Sequence, residues 1–244
     1  MLSGPRLIQS SDWGRTTSTK NAQLGATGET TDGRVFKYGQ AGASNLAVGK
    51  LTITPLGVAN HQNLAVTAAA ASGTKSVSVT LGATPATADQ YAGGYLTVYD
   101  STGAGTSYLV SGHAAIGSAG SGTIYLAEPI TTALTTSSKV SLTVATFSSL
   151  IISDASGTAT TDVFTGVPGV AVSAGSFGWF QTRGVASVLT DGTPAVGAGV
   201  VQGTTAGAVA VEAAASVGSR LGVVQAVSAV NTKHNTINLA IQTC

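Results

Sequence analysis

Three histidines and one cysteine are the side chains in this sequence that could bind a transition metal. His61, His113 and His234 lie at spacings that match no zinc motif, and Cys244 has no second cysteine to complete a thiolate pair. The single cysteine also excludes a disulfide within the chain. The sequence therefore predicts no metal site, and histidines isolated in this way are typical of turns and surfaces.

Carboxylates, serines and glycine-rich runs also lack the spacing that a catalytic or cofactor site needs. The ten acidic residues are isolated, without a calcium-loop pattern or a close pair suited to glycoside hydrolysis. No serine lies in a G-x-S-x-G turn, and the glycine-rich run 117–122 fits neither a dinucleotide-binding nor a Walker pattern. We predict no catalytic residue, no cofactor and no enzymatic activity. Carboxylates that meet only in the folded chain stay open as the alternative.

Composition indicates that much of the protein surface is covered in an assembly. Charged residues make up 9% of the 244 residues, against roughly 25% in ordinary soluble proteins, and glycine occurs 32 times. A soluble monomer usually keeps more charge on its surface. The net charge of +1 and the scattered lysines and arginines predict no nucleic-acid partner, and no apolar run approaches the roughly 18–20 residues of a membrane span.

Residues 1–30 have the character of an extended N-terminal arm. They mix Ser, Thr, Gly and Gln without a sustained hydrophobic period, so the segment cannot bury enough apolar area by itself to fold. Trp13 lies close to Arg15, a combination that often anchors an arm in an interface, and Arg6 precedes them. A disordered tail is the alternative.

The rest of the chain predicts an all-β fold. Short alternating runs such as Ser76–Leu81 are separated by glycine-rich turns, which is typical of a sandwich or barrel. The segment 46–51 is echoed at 194–200, so we expect residues 31–57 and 161–244 to form one β-sandwich or barrel domain. Residues 58–160 would then be an inserted β-rich lobe, with a short helix beginning at Thr84-Pro85.

The stretch 176–201 has the strongest local pattern. It predicts a strand over Phe177–Thr182, a hinge at Arg183-Gly184, a second strand over Val185–Leu189 and a hairpin across Asp191-Gly192. Trp179 and its neighbour Phe180 should point to opposite faces, one into the core and the other toward a second layer or a neighbouring molecule.

These segments resemble the head decoration, or cement, proteins of tailed bacteriophages. The resemblance covers most of the chain beyond the arm, and its most specific part is the strand GWFQTRGVASVL followed by the turn DGTPAVG. It implies a virion component, made in the host cytoplasm, that coats the outer capsid surface without enzymatic activity. It also implies a symmetric oligomer, with a homotrimer favoured over a dimer, that bridges neighbouring subunits of the major capsid protein and stabilises the expanded shell.

We place the interface with the capsid at five residues of the arm and of the stretch 176–201. They are Arg6, Trp13, Arg15, Trp179 and Arg183. The alternative function is a head fibre or tail adhesin that binds a host-surface glycan through the 58–160 lobe. In that case Tyr91, Tyr95, Tyr99 and Tyr108 would offer aromatic stacking surfaces, although cross-strand packing is the favoured role for these rings.

Overall fold

The computed structural model describes residues 6–154, 163–213, 219–228 and 230–241. Within these residues the chain forms two units that consist almost entirely of β-strands and turns, which confirms the predicted all-β fold. The second unit comprises Leu56–Ala145, and the first comprises the described residues on either side of it.

The elements follow in chain order, beginning with those before Leu56. They are β1 (Arg6–Leu7), α1 (Ser10–Trp13), β2 (Thr27–Glu29), β3 (Val35–Gln40) and β4 (Thr52–Ile53). The second unit contains a 3₁₀ turn (Ala59–His61), β5 (Leu64–Val66), β6 (Ser76–Thr80), β7 (Tyr95–Asp100), β8 (Thr106–His113), β9 (Ser121–Leu126) and β10 (Lys139–Thr143). The chain then forms β11 (Ile151–Ile152), β12 (Phe164–Pro168), β13 (Phe177–Thr190), β14 (Gly199–Gln202), β15 (Val209–Val211), β16 (Gly222–Ala226) and β17 (Lys233–Ala240).

One large sheet organises the first unit. Its strands are hydrogen-bonded in the order β1-β2-β3-β13-β15-β14-β16-β17, and a further pairing of β13 with β17 closes the last five strands into a barrel. Strand β4 pairs with both β11 and β12, and β12 also joins β13. Aliphatic side chains form the core of the unit here, with Val188, Val200 and Ile237 at 0% exposure.

Strand β13 is continuous where two strands separated by a hinge were predicted. The predicted hinge is a β-bulge next to Arg183, where the pairing with β3 shifts register. The prediction for the two neighbouring rings is confirmed, because Trp179 packs in a cluster with Phe36 on one face and Phe180 packs with Leu150 on the other. Around Trp179 and Phe180, both faces of β13 are therefore covered by other parts of the same unit.

The predicted hairpin across Asp191-Gly192 is wrong. Among the described strands β13 and β14 are not paired, because β15 lies between them, parallel to β13 and antiparallel to β14. The Asp191 carboxylate accepts hydrogen bonds from the backbone N–H groups of Thr204 at 2.6 Å and Thr205 at 2.8 Å. The Asp191 backbone N–H donates to the carbonyl of Val209 at 2.8 Å. These contacts hold the start of β15 where a hairpin partner would otherwise lie.

Replacing Asp191 by asparagine should destabilise the first unit by about 1–2 kcal/mol at neutral pH, because charge-assisted hydrogen bonds are lost. Burial raises the pKa of Asp191, but hydrogen bonds from Thr205 and Thr204 outweigh it and leave the pKa below its ordinary value. The carboxylate therefore stabilises the fold above about pH 4 and loses this effect as the pH falls further. Urea unfolding should show a gap between wild type and Asp191→Asn that closes in acid. A gap that does not change with pH would contradict this role.

Residues 6–30 are not a free arm, which corrects the expected organisation. β1 pairs in parallel with β2, and β2 pairs with β3. Ile8 is 1% exposed, and Thr17 exchanges two backbone hydrogen bonds with Phe177, at 3.0 and 2.8 Å. The segment shows no hydrophobic period because it buries single residues, far apart in sequence, against side chains that the rest of the unit supplies.

The second unit is a closed six-stranded barrel with the strand order β10-β5-β6-β9-β8-β7. The alternation predicted for residues 76–81 is confirmed in β6, where Val77 and Val79 are 0% exposed and the serines between them are partly exposed. Their partners in the barrel core include Leu96 and Ile124. Period-two alternation was a sufficient signal here because each strand has one buried face.

The inserted unit ends earlier than predicted. The expected boundary at residue 160 lies outside the described residues, but residues 146–154 already belong to the first unit. Ile151 pairs with Ile53 and Ile152 with Thr52, so that β11 extends a sheet more than ninety residues away in sequence. Composition carries no signal for such a distant pairing.

The helix expected at Thr84-Pro85 is also wrong. Residues 88–93 form turns, and Ala86 instead exchanges two backbone hydrogen bonds with Ile116, both at 2.9 Å. Pairings of the same kind join Leu46 with Val172 and Ala70 with Leu134. A turn follows each of these six paired residues. In three of the turns, the residue three positions after the paired one is a glycine with a positive φ, which glycine adopts without strain. These glycines are Gly49, Gly73 and Gly175.

Candidate functional site

Trp13 fastens the N-terminal segment to the large sheet of the first unit. Its ring stacks on Phe36 with centroids 5.8 Å apart, and the Arg34 guanidinium carbon lies 4.9 Å from the Trp13 ring. Asp32 forms a 2.9 Å ion pair with Arg34, and the hydrogen bond from Thr30 is the main cause that lowers the pKa of Asp32. The Trp13 ring is therefore used within the chain itself.

Next to this stack the N-terminal segment and the sheet enclose a cavity of about 180 Å³. Three of the five residues predicted at an interface line it, namely Arg6, Arg15 and Trp179. Asp12, Tyr38 and Phe177 also line the cavity. The two aromatic residues were not predicted at an interface. The structure thus brings together residues from positions 6 and 179 of the chain.

The two arginines of the cavity keep most of their hydrogen-bond donors available. The Nε–H of Arg15 donates to the Ser11 carbonyl, which leaves its two terminal nitrogens without an acceptor among the described residues. Arg6 lies 3.9 Å from Asp12, beyond hydrogen-bond distance, and its side chain is 61% exposed. Asp12 is already engaged, because its Oδ2 accepts the backbone N–H of Gln9 at 2.9 Å.

Aromatic rings form the buried wall of the cavity. Tyr38 and Trp179 meet edge to face with centroids 5.1 Å apart, and Tyr38 stacks on Phe177 at 6.0 Å. Tyr38 is 3% exposed, and its hydroxyl accepts the backbone N–H of Asn21 at 3.0 Å. The alternation of residues 34–38 contained a signal for this wall, since it places Phe36 and Tyr38 on one face.

Arg183 lies outside the cavity, on the exposed face of the barrel in the first unit. It pairs with Ala240 of β17, and two residues further along β13 lies Val185, which pairs with Asn238 and is 46% exposed. Asn238 also pairs with Val223 of β16, which is 37% exposed. The row formed by Val185, Asn238 and Val223 carries no charge, so beside Arg183 this face offers apolar and uncharged polar groups.

Two buried histidines of the second unit form a hydrogen-bonded cluster around Tyr91. His61 Nδ1 contacts the Tyr91 hydroxyl, and its Nε2 lies 2.8 Å from the Thr84 carbonyl, to which it donates. His113 Nδ1 lies 2.8 Å from the Ala114 carbonyl, and its Nε2 accepts the Tyr91 backbone N–H at 3.2 Å. Each of the four ring nitrogens has a partner within the barrel, so the cluster has a structural role. His61 lies in a turn, as expected, although it is buried, whereas the expected turn or surface location is wrong for His113, which ends strand β8 and is buried.

Alkaline pH should weaken the second unit through Tyr91. Burial raises the pKa of Tyr91 to about 12. Because this exceeds the value of about 10 in an unfolded chain, the stabilisation is complete below about pH 10 and is lost as the pH rises further, by roughly 2–3 kcal/mol in all. We expect Tyr91→Phe to be less stable than wild type at neutral pH but to lose less stability between about pH 9 and 12.

Tyr95→Phe is the matched control for this prediction, because Tyr95 is 49% exposed on the same unit. Its unfolding free energy should follow the wild-type pH dependence in urea titrations. Parallel pH dependence of wild type and Tyr91→Phe would show that burial of Tyr91 has no effect on alkaline stability.

The four tyrosines predicted as a possible stripe divide into two groups. Tyr91 and Tyr108 are buried in the barrel core, at 1% and 6% exposure, so neither ring is available for stacking on a sugar. Tyr95 and Tyr99 project from the outer face of β7 and are 49% and 45% exposed. Tyr125 on β9 is a further exposed ring, at 53%.

Within the described ranges, no group of three or more His, Cys, Asp or Glu residues is placed to hold a metal ion. His234 is exposed, with Nε2 3.4 Å from the carbonyl of Val48, and Cys244 lies outside the described residues. No helix in the described part of the chain is long and apolar enough to cross a membrane.

Comparison with known proteins identifies no relative, because no family model, no curated protein and no solved structure matches this chain. The interpretation of the site therefore depends on its own chemistry. The site combines two arginines with available hydrogen-bond donors and one carboxylate that already accepts a backbone hydrogen bond. Buried aromatic rings form its wall.

Proposed function

We propose that this protein is a capsid decoration protein of a tailed bacteriophage, which binds the outer surface of the expanded shell and bridges neighbouring major capsid subunits. One observation carries the proposal: Arg6, Arg15 and Trp179, predicted at an interface from the sequence, lie around one cavity in the first unit. Arginine and tryptophan are the residues most enriched at the energetic centres of protein interfaces.

The surface of the first unit supports a role in an assembly. Large aliphatic side chains are exposed on it, while the whole chain has only 9% charged residues. The most exposed of these side chains are Leu7, Val48, Val163, Val196 and Val230. A protein that bridges two subunits needs two contact surfaces, and the arginine-lined cavity and the face that carries Arg183 are the candidates.

Mass action explains how such binding would strengthen a shell. A ligand that binds only the expanded, assembled state stabilises that state in proportion to the logarithm of its concentration over Kd. An oligomer that engages several subunits at once gains further affinity through its effective local concentration. Closed symmetry favours a homotrimer at threefold positions of the shell, with a dimer as the second possibility.

Co-sedimentation with purified phage heads tests the proposal. The heads come from the phage that encodes this chain and are prepared without the protein. The purified protein should bind these heads after they have expanded and not before. The double variant Arg6→Gln/Arg15→Gln should bind at least about tenfold more weakly, because two charge-assisted contacts are lost. Lys20→Gln, which removes an exposed charge from the same segment outside the cavity, is the control. Failure of the wild-type protein to bind expanded heads would refute the proposal.

A second candidate function is adhesion to a host-surface glycan through the second unit. The favouring observation is that Tyr95 and Tyr99 are both about half exposed on the outer face of β7. Thr97 lies between them, and its hydroxyl is 2.9 Å from that of Ser107, so the rings border hydroxyl groups that sugars can bind. A glycan array with wild type and Tyr95→Ala/Tyr99→Ala tests this function. Equal signals from the two proteins would exclude these rings.

A further inference from the structure

We infer that the cavity of the first unit is a receptor for a carboxylate on a short apolar stem, which an acidic side chain of the bound protein partner supplies. The inference rests on the proposed function only for the identity of the partner, the major capsid protein. The receptor itself follows from the charges, donors and rings around the cavity.

Positive charge exceeds negative charge around the cavity. Two guanidinium groups, Arg6 and Arg15, line the cavity together with one carboxylate, Asp12. Oδ2 of Asp12 accepts the backbone N–H of Gln9, just before α1, and its Oδ1 is 3.9 Å from Arg6. The wall thus has an excess positive charge that its own carboxylate does not satisfy through hydrogen bonds, and an incoming anion would complete it.

Arg15 and Tyr38 provide hydrogen-bond donors at the cavity that remain available to a ligand. A guanidinium group has five N–H donors in a planar fork, and Arg15 uses its Nε–H on the Ser11 carbonyl. Tyr38 is 3% exposed, and its hydroxyl accepts from Asn21 while its own proton has no acceptor among the described residues. A buried hydroxyl proton at the wall of a cavity is a specific donor for a ligand oxygen.

The shape and polarity of the cavity favour a carboxylate on an apolar stem. Its volume of about 180 Å³ far exceeds the roughly 10–15 Å³ that a cavity needs to hold one water molecule, so a group larger than water fits. The rings of Trp179 and Phe177 offer apolar surface next to the two arginines. A planar fork matches the two oxygens of a carboxylate, and the rings contact the methylene groups that carry it.

Nuclear magnetic resonance of the full-length chain tests the receptor directly. The protein has two tryptophans, so its spectrum contains two indole N–H signals, and Trp13→Phe assigns the signal of Trp179. The probes are N-acetyl-Leu-Glu-Leu-amide, the same peptide with glutamine in place of glutamate, and inorganic phosphate, each up to about 10 mM. The glutamate peptide should shift the Trp179 signal and bind at least about tenfold more tightly than the glutamine peptide.

Substitution of Arg15 distinguishes specific binding in the cavity from nonspecific adsorption of the peptide. Arg15→Gln should weaken binding of the glutamate peptide about tenfold, whereas Lys20→Gln should leave it unchanged. Equal binding of the two peptides, tighter binding of phosphate, or no shift of the Trp179 signal would overturn the inference.

The two proposals fail in distinguishable ways. Peptide binding without binding to expanded heads would overturn the capsid function and leave a carboxylate receptor for another partner. Binding to heads that Arg15→Gln does not weaken would overturn the receptor and leave the capsid function.

Discussion

Replacing Gly94 by alanine should unfold the barrel of the second unit at room temperature or reduce its stability by at least about 3 kcal/mol. A methyl group on Gly94 would lie 2.0 Å from the carbonyl oxygen of Thr143 and 2.8 Å from the carbonyl carbon of Val144. Both contacts are with backbone atoms that no side-chain rotation can move. The end of β10 and the start of β7 would have to separate, and these strands are neighbours in the closed barrel.

Gly117→Ala is the matched control, because a methyl group there meets nothing within 4 Å. Hydrogen exchange followed by mass spectrometry should show loss of protection across β7 and β10 in Gly94→Ala, and wild-type protection in Gly117→Ala. Strand β13 belongs to the other unit. If its amides keep wild-type protection, the exchange reports unfolding of the second unit alone and not of the whole protein. Wild-type protection throughout Gly94→Ala would mean that the close approach of these strands is wrong.

Replacing Trp179 by alanine should destabilise the first unit by about 3–5 kcal/mol, the usual effect of removing a large buried aromatic side chain. Trp179 is 6% exposed and packs with Ile8, Phe36 and Tyr38. The ring connects β13 to the N-terminal segment, so its loss should also release residues 6–30 from the sheet. Rapid proteolysis of this segment should therefore accompany the loss of unfolding free energy.

Val196→Ala is the control for this substitution, since Val196 is 64% exposed in the same unit and its truncation should change stability by less than about 0.5 kcal/mol. Urea unfolding followed by circular dichroism gives the free energies, and limited proteolysis reports the N-terminal segment. A Trp179→Ala protein that keeps the segment protected would show that other contacts hold residues 6–30.

A regular local pattern predicted strand β6 of the second unit. Its alternation was a sufficient signal because the strand has one buried face. The helix expected at Thr84 failed because a good local start signal competed with the non-local pairing of Ala86 and Ile116. Local propensity is overridden where backbone groups find distant partners.

The first unit was harder to predict because its decisive contacts join distant segments. The predicted hairpin at Asp191-Gly192 does not form, because the Asp191 carboxylate accepts hydrogen bonds from the backbone of Thr204 and Thr205. These residues lie thirteen and fourteen positions further along the chain. The N-terminal segment has no hydrophobic period, yet Ile8 and Trp13 both pack against the sheet at Phe36 of β3.

The candidate site was predicted in part. Residue type alone selected Arg6, Arg15 and Trp179, because arginine and tryptophan favour interfaces, and the structure places all three around one cavity. Arg183 was selected for the same reason but lies on a different face, beside Ala240. Tyr38 and Phe177 were missed as site residues, because only the folded sheet brings them beside the N-terminal segment.

The most direct test of the proposed function is the copy number of this protein in purified particles of the tailed phage that the proposal predicts as its source. Quantitative mass spectrometry against the major capsid protein gives this number. A decoration protein that covers the shell should be present in a number comparable to that of the capsid protein. A handful of copies per particle, or complete absence, would contradict the proposal, and a handful would direct attention to adhesion by the second unit.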